Sequence, residues 1–438
     1  MKRIVVSIIF VLLLTSCVKA PSEQQDVSLK IMVWNEREFN SKYGNFFIAT
    51  HPNYKLQVIP VIDHLTAGED LNKAVEILVL QEKPDVVMLD MNNYELLNDR
   101  EQLSPLNSYI KKDKFKTNDI TPAIIDFFTD EQGQINGLTP TFVGSALYYN
   151  VGMFRERGIS IPADAMTWDE VFSLSNMFTN AQDAEYPEYG YYDKYVSNPF
   201  LMGLYIGEGS GLSFYNHGKF LLQSNSWQNV FKNVTDCMRV EACYKKVENN
   251  ISQASGLEAA QKLNYPFLEG NIAMAVNDSS LYRLLTAPNS GYSELEWGVV
   301  PIPTDRNSPD LGSGVMMTDI FSLTKDGNQE AGWDFIKYVC GPDYARLLPT
   351  VNPEELPVIQ TSDAEDEDIS VFYSLNRVSN TTIRTLRTLP AEVIGKMDEI
   401  SQHYMSEIIM EKLLVADALG KMESELQLTH DNSIRISK

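Results

Sequence analysis

The chain has 438 residues, 44% of them hydrophobic and 22% charged, and its 59 Asp and Glu against 36 Lys and Arg leave a formal charge of -23. That apolar share excludes wholesale disorder, and the length gives room for two or three domain-sized units. The acidity excludes nucleic acid as the main partner, because a surface this negative is repelled by phosphates.

Lys2 and Arg3 open a short positive region, and residues 4–14 form an apolar run broken only by Ser7. The run is far short of the roughly 20 apolar residues that a bilayer-spanning helix needs, and it has the layout of a secretory signal. It ends in Leu14-Thr15-Ser16-Cys17, small residues before a lone Cys, which resembles a lipobox. The expectation is a signal peptide over 1–16, a lipidated Cys17, and a polar tether through 17–28 that lets the body stand off the membrane. A plain secretory signal or a short uncleaved anchor is the alternative. Loss of Lys2 and Arg3 takes the charge from -23 to -25, which suits a neutral ligand outside the cell.

Residues 29–34 (LKIMVW) predict a strand that opens the body, and residues 55–61 (KLQVIPV) a second. Over 70–82, Leu71, Val75 and Leu78 share one face with Ala74 beside them, a helical period stopped by Pro84. Residues 85–89 (DVVML) read as a strand buried on both faces. Strand, helix and strand in that order predict an α/β domain with right-handed crossovers. Residues 103–110 predict a turn into a short helix, 131–134 a tight turn, and 146–150 (ALYYN) another strand.

Thr167 and Glu170 have the spacing of a capping box, ahead of an apolar stripe of Val171, Leu174 and Phe178. Residues 226–237, 257–267 and 331–339 predict further helices, and 391–426 a long helical tail. The acidic run 362–368 reads as a solvated loop, since it lacks the Gly turn and spaced ligands of a calcium loop. Cys237 and Cys243, six positions apart, can form a disulfide across a helix end or stay apart; Cys340, among Ile336, Tyr338 and Val339, reads as buried and inert.

Catalytic patterns are thin. None of the five His forms a His-Glu-x-x-His pair, and no Cys–His cluster has zinc spacing. His217-Gly218-Lys219 lacks the offset Gly and the hydroxyl of a phosphate loop, and Ser210 lacks the Gly of a nucleophile elbow. No cofactor and no metal are expected. Carboxylates abound, so a glycosidase pair stays open.

Several segments, in order, carry a family resemblance. Pro84-Asp85-Val86-Val87 with Leu103-Ser104-Pro105-Leu106 resembles a "PDVV … LxPL" stretch, and Gly137-Leu138-Thr139-Pro140 before Leu147-Tyr148-Tyr149-Asn150 a "GLP … LYYN" crossover. Thr167-Trp168-Asp169-Glu170, the segment from Phe267 to Met274 (FLEGNIAM), the segment from Trp297 to Pro303 (WGVVPIP), and Ala331-Gly332-Trp333-Asp334-Phe335-Ile336 complete the series. The chain thus resembles the extracellular solute-binding proteins of carbohydrate ABC importers, the group that includes maltose-binding protein. The likeness runs over most of residues 29–427.

The resemblance implies an α/β fold of the type II periplasmic-binding-protein kind. Two lobes, each a central sheet flanked by helices, are joined by three hinge crossings near 144–147, 312–314 and 371–376. Lobe one would hold 29–144 with 312–370, and lobe two 145–311 with 371–438. It implies a binding protein rather than an enzyme, taking a sugar or oligosaccharide between the lobes and passing it to ABC permease subunits, as a monomer held to the membrane by its lipid. A lipid-anchored glycoside hydrolase, or a sugar sensor or surface-attachment protein on the same fold, is the alternative.

Sugar recognition uses aromatic faces against ring faces, and carboxylates and amides against hydroxyls. The strand ends supply both. Trp34 and Glu36 follow the first strand, and Asp90 and Asn92 follow the 85–89 strand. Phe142 flanks the first crossing, and Tyr192 and Asp193 lie in a Tyr-rich stretch, 186–195. Asp278, Ser279 and Tyr282 follow the "AM" strand, and Gly312 and Ser313 offer backbone amides. Where the family often has Gly-x-Trp, this chain reads Asp278-Ser279-Ser280, so Tyr282 or Trp34 would replace the stacking ring.

Overall fold

The computed structural model describes residues 26–66, 70–178, 187–196, 198–245, 256–288, 290–360, 367–379 and 381–436. The signal peptide, Cys17, the tether before Asp26, Tyr186 and most of the acidic run lie outside the described residues.

Among the described residues, nine strands form the main ladders of two sheets, and two short strands at the crossing add to the second. β1 (Val27–Val33), β2 (Tyr54–Pro60), β3 (Val86–Leu89) and β4 (Leu103–Ser104) come from the first quarter of the chain. β5 (Thr141–Asn150), β6 (Tyr189–Asp193), β7 (Ile272–Asp278) and β8 (Trp297–Pro301) follow, and β9 (Ile320–Thr324) returns to the first group. The first sheet runs β2-β1-β3-β9-β4, with β1 parallel to β2 and β3, and β9 antiparallel to β3 and β4. The second runs β8-β5-β7-β6, with β5 antiparallel to both neighbours and β6 parallel to β7. All four residues of β3 and all seven of β7 are buried, as in strands covered on both faces, and β7 carries Asn277 and Asp278 at its end.

Local chemistry sets the helix ends. Asp70 accepts from Lys73 N at the start of Leu71–Glu82, and Lys83 ends it in the left-handed region, φ 47°, just before Pro84. The capping box forms: Thr167 Oγ1 accepts from Glu170 N at 3.3 Å, and Glu170 Oε2 accepts from Thr167 N at 2.8 Å. Pro266 cuts the 257–267 prediction short, leaving Leu257–Asn264 and one tighter turn, Pro266–Glu269. The tail is two helices, Ala391–Ile409 and Val415–Ile436, rather than one. Glu411 breaks it at φ 57°, so that Val393, Met397 and Ile400 share a core with Ala418, Leu419 and Met422. One straight helix would leave both stripes in water.

The lobes are joined by three crossings. β5 is one of them: its last residues pair inside the second sheet, while Val143 and Gly144 pair with Met316 and Val315, and Thr141 and Phe142 with Pro357 and Leu356. Leu311–Gly312 pairs in parallel with Arg377–Val378 and brings the other two together. Gly314 sits at φ 101°, and a Cβ there would lie 2.8 Å from Tyr205 Oη and 2.9 Å from Ser145 Cβ, so the crossing needs glycine at this position. Elsewhere, Cys237 and Cys243 form a disulfide at the end of the helix Asn225–Arg239, with Cα atoms 5.2 Å apart. Cys340 is free and buried, and burial pushes its thiol well above the ordinary range. Among the described residues no helix is long and apolar enough to cross a membrane.

Candidate functional site

The carboxyl ends of β1 and β3 deliver Trp34 and Asp90 to one edge of the first sheet, where open α/β sheets take ligands. The helix Glu36–Phe39 and the turn after it add Glu38 and Lys42, the approach to β9 adds Asp319, and the turn before Leu356–Pro357 adds Glu354 and Glu355. Together they line a cavity of about 450 Å³. Lys42 Nζ lies 2.9 Å from Glu38 Oε1, 3.5 Å from Asp319 Oδ2 and 3.5 Å from Glu355 Oε1. Burial lowers the ammonium's affinity for its proton, but Asp319, Glu38 and Glu355 outweigh it and hold Lys42 well above its ordinary value. Burial holds the Asp319 carboxyl above the usual range against the pull of Lys42, and Tyr43 Oη donates to it at 2.5 Å. Thr141 Oγ1 donates to Glu355 from the crossing strand.

Asp90 caps the helix Met91–Asp99, accepting from Asn93 N at 2.7 Å and from Asn93 Nδ2 at 3.1 and 3.2 Å. Asn93 is 3% exposed and lines the same cavity. With its Nδ2 turned to Asp90, its Oδ1 is left buried without a partner among the described residues.

The second sheet answers with a different cluster. β7 ends at Asp278, which caps the helix Ser279–Thr286 through Ser280 N at 3.1 Å and Leu281 N at 3.3 Å. Its Oδ2 also accepts from Lys194 Nζ at 2.5 Å and Tyr195 Oη at 2.6 Å. The Lys194 ammonium stands 4.1 Å from the centre of the Tyr265 ring, a cation–π distance. Asp193 makes this possible from beneath: it accepts from Tyr195 N at 2.8 Å and Val196 N at 3.0 Å, turning the chain at the end of β6. Burial pushes its carboxyl up to about 6. Tyr195 itself is 44% exposed, an aromatic face fixed by its hydroxyl.

A second cavity, about 330 Å³ and mostly apolar, draws on both lobes: Met91 from one, Tyr195, Leu201 and Tyr205 from the other, with Gly314 and Met316 at the crossing. The turn at Glu354 and Glu355 likewise touches both lobes, since Ser280 Oγ and Arg283 Nη2 donate to its backbone carbonyls at 3.4 Å each.

Of the sequence candidates, Trp34 and Asp90 line the first cavity and Ser313 the second. Asp278 organises the second-sheet cluster. Glu36 is exposed on the first turn of its helix, and Glu38, two residues on, is the one that lines the cavity. Asn92 is turned to Asn72, to which it donates at 2.9 Å. Three aromatic candidates are core residues instead. Phe142 is 1% exposed against Tyr373, Tyr192 is 1% exposed against Tyr244, and Tyr282 packs between Trp297 and Phe372. Each sits on a strand or helix face turned inward, where a large ring contributes most by burial. Asp193 and Ser279 are buried too, and Gly312 is in the crossing ladder with Leu375 against it. Sequence reasoning missed Lys42, Asp319, Glu354 and Glu355, which come together only on folding, and it passed over Lys194 and Tyr195 beside Asp193.

The profile of the bacterial extracellular solute-binding proteins matches residues 44–368. The fold is similar to that of the sugar-binding protein MalE from Xanthomonas citri, at 16% identity and a TM-score of 0.67 over 94% of this chain and 99% of that one. It is similar to a sugar transporter protein from Rhizobium etli in an open conformation, at 17% identity and a TM-score of 0.64 over 92% and 99%. An ABC substrate-binding protein from Listeria monocytogenes, solved in complex with cycloalternan, is similar at 16% identity and a TM-score of 0.61 over 92% and 99%.

Proposed function

Because the chain belongs to the bacterial extracellular solute-binding proteins, we propose that it captures a sugar or oligosaccharide between its lobes and delivers it to an ABC permease. The observation that carries this reading is the pair of half-exposed rings, Trp34 at 38% and Tyr195 at 44%, each set beside carboxylates at a sheet end. Such rings cover the apolar faces of sugars, and the carboxylates accept from hydroxyls. The lobes are residues 29–144 with 312–370 and 145–311 with 371–438, and the three crossings are the hinge on which they close. Cys17 carries the lipid, the segment through 28 is the tether, and the protein works as a monomer and as a binder, not an enzyme.

Titration calorimetry of the protein against mono- and oligosaccharides, paired with small-angle scattering, tests it. Sugar binding with compaction is expected; binding of a peptide with no response to any sugar would overturn the substrate class, and sugar binding without compaction the closure. Cys17→Ala is expected to release the protein from the membrane fraction, and unchanged fractionation with full processing would overturn the anchor.

A further inference from the structure

Resting on that reading, we propose that the solute carries a protonated amine, an amino sugar or an oligomer of one, with its ammonium seated in the first cavity against Trp34. Among the described residues, the cavity is lined by the carboxyl groups of Glu38, Asp90, Asp319, Glu354 and Glu355 and by one basic side chain, Lys42. That one ammonium is already shared among Glu38, Asp319 and Glu355. Even with Asp319 protonated, the lining holds a net excess of three negative charges, four carboxylates against one lysine. Closing a lobe over a neutral hexose would strip water from these charges and leave them facing one another, which costs free energy. A ligand cation removes that cost.

An independent observation points the same way. Asn93, 97% buried on the same wall, has an Oδ1 that no group among the described residues meets, because its amide hydrogens face Asp90. Lys42, Thr318 and the Trp34 indole offer donors, but the polar lining is otherwise made of acceptors that a ligand's donors can meet, and an ammonium brings three. Trp34 adds a ring face, the preferred aromatic partner of a cation. The second cavity begins at Met91, the residue after Asp90, and its Tyr195 and Met316 offer the apolar lining that a further sugar ring would cover. The chain's acidity, which by itself suits a neutral solute as well, adds a long-range attraction for a cationic one.

Calorimetry on the full chain in detergent at pH 6, low enough to keep sugar amines protonated, distinguishes the cases. The probes are glucosamine, its β-1,4-linked dimer, the N-acetylated form of each, and spermidine, in 50 and 500 mM salt. The amino sugars are expected to bind at least tenfold tighter than their N-acetylated forms. That advantage should shrink severalfold in high salt and in Glu354→Gln, a change at an exposed side chain, for which a melting temperature equal to the parent's would show the fold intact. N-acetylated sugars binding as tightly as the amines would overturn the inference and leave the sugar reading standing. Spermidine binding with no sugar bound would uphold the amine and overturn the sugar. No binding by any probe would overturn the inference.

Discussion

Lys194 donates to Asp278 across the end of the second sheet, Nζ to Oδ2 at 2.5 Å, with side chains only 12% and 6% exposed. The pair is buried, and the same carboxylate also caps a helix and anchors Tyr195. A buried ion pair adds little net stability, yet breaking one from a single side is expensive, because the remaining charge stays out of water.

Lys194→Met is therefore expected to lower the unfolding free energy by about 3 kcal/mol, the usual cost of orphaning a buried charge. Lys194→Met with Asp278→Asn should recover a good part of it, since Asn still caps the helix. Urea unfolding of the two variants checks this; equal losses in both would show that the pair is not the stabilising unit.

Asp193 gives a pH dependence with a definite sign. Its carboxyl is raised from 3.8 to about 6 in the folded protein, so between those values the native state holds a proton that the unfolded state has lost. Stability from this group is thus complete below about pH 4 and falls away as pH rises through 6, by about 3 kcal/mol at 1.36 kcal/mol per unit. Asp193→Asn should flatten that slope, because one amide oxygen can accept from both Tyr195 N and Val196 N, which share Oδ1 in the native protein. Denaturant melts at pH 4.5 and 7.5 decide it: a difference between the two pH values that is the same in both proteins would exclude Asp193 as its source.

The Tyr-rich stretch shows where sequence reading works and where it stops. That something near Asp193 matters is visible in the Tyr-rich composition of 186–195; that 189–193 is a strand appears only in the fold. Which ring faces out is not visible either: Tyr192 goes to the core and Tyr195 to the surface because Asp193 turns the backbone between them. Local signals, such as the Thr167 capping box and the apolar 85–89 run, resolve into elements because their partners lie within a few residues or because burial on both faces leaves one choice. Lys42, Asp319 and Glu355 carry no such signal, being brought together from opposite ends of the chain. The break at Glu411 has neither Gly nor Pro to announce it, and only the tertiary core shared by the two tail helices demands it.

The Cys237–Cys243 bond closes a loop of six residues, for which the chain-entropy relation gives about 2 kcal/mol. Cys237→Ser with Cys243→Ser is expected to lose about that much, plus the cost of burying two hydroxyls where both bonded sulfurs are buried. Thermal melts with and without a reducing agent measure it: a reductant should lower the native protein's melting temperature and leave the double variant unchanged. An unmoved native melt would show that the bond contributes nothing.

The segment after the third crossing reaches back to the first lobe. The helix Thr381–Thr388 sends Arg384 back to the first-lobe helix Met91–Asp99, where Nε and Nη2 donate to the two oxygens of Glu95 at 2.5 and 2.8 Å. Arg387 donates to Asp99 and to the Asn92 carbonyl on the same helix. The start of the segment is tied to the other lobe, since Ser379 Oγ and Thr382 N both donate to the buried Glu208 at 3.0 Å. It is therefore a strap across the hinge. Glu95 is 1% exposed, so its bidentate partner matters more than a surface pair would. Half-exposed Arg384 is screened by solvent, and discounting the buried-pair figure for that leaves about 2 kcal/mol for Arg384→Ala. Because the strap spans both lobes, its loss should also free the hinge. Scattering of ligand-free Arg384→Ala should give a larger radius of gyration than the parent, and urea melts should show the lost stability. Stability lost with an unchanged radius would make Arg384 a packing residue of the first lobe and not a restraint on opening.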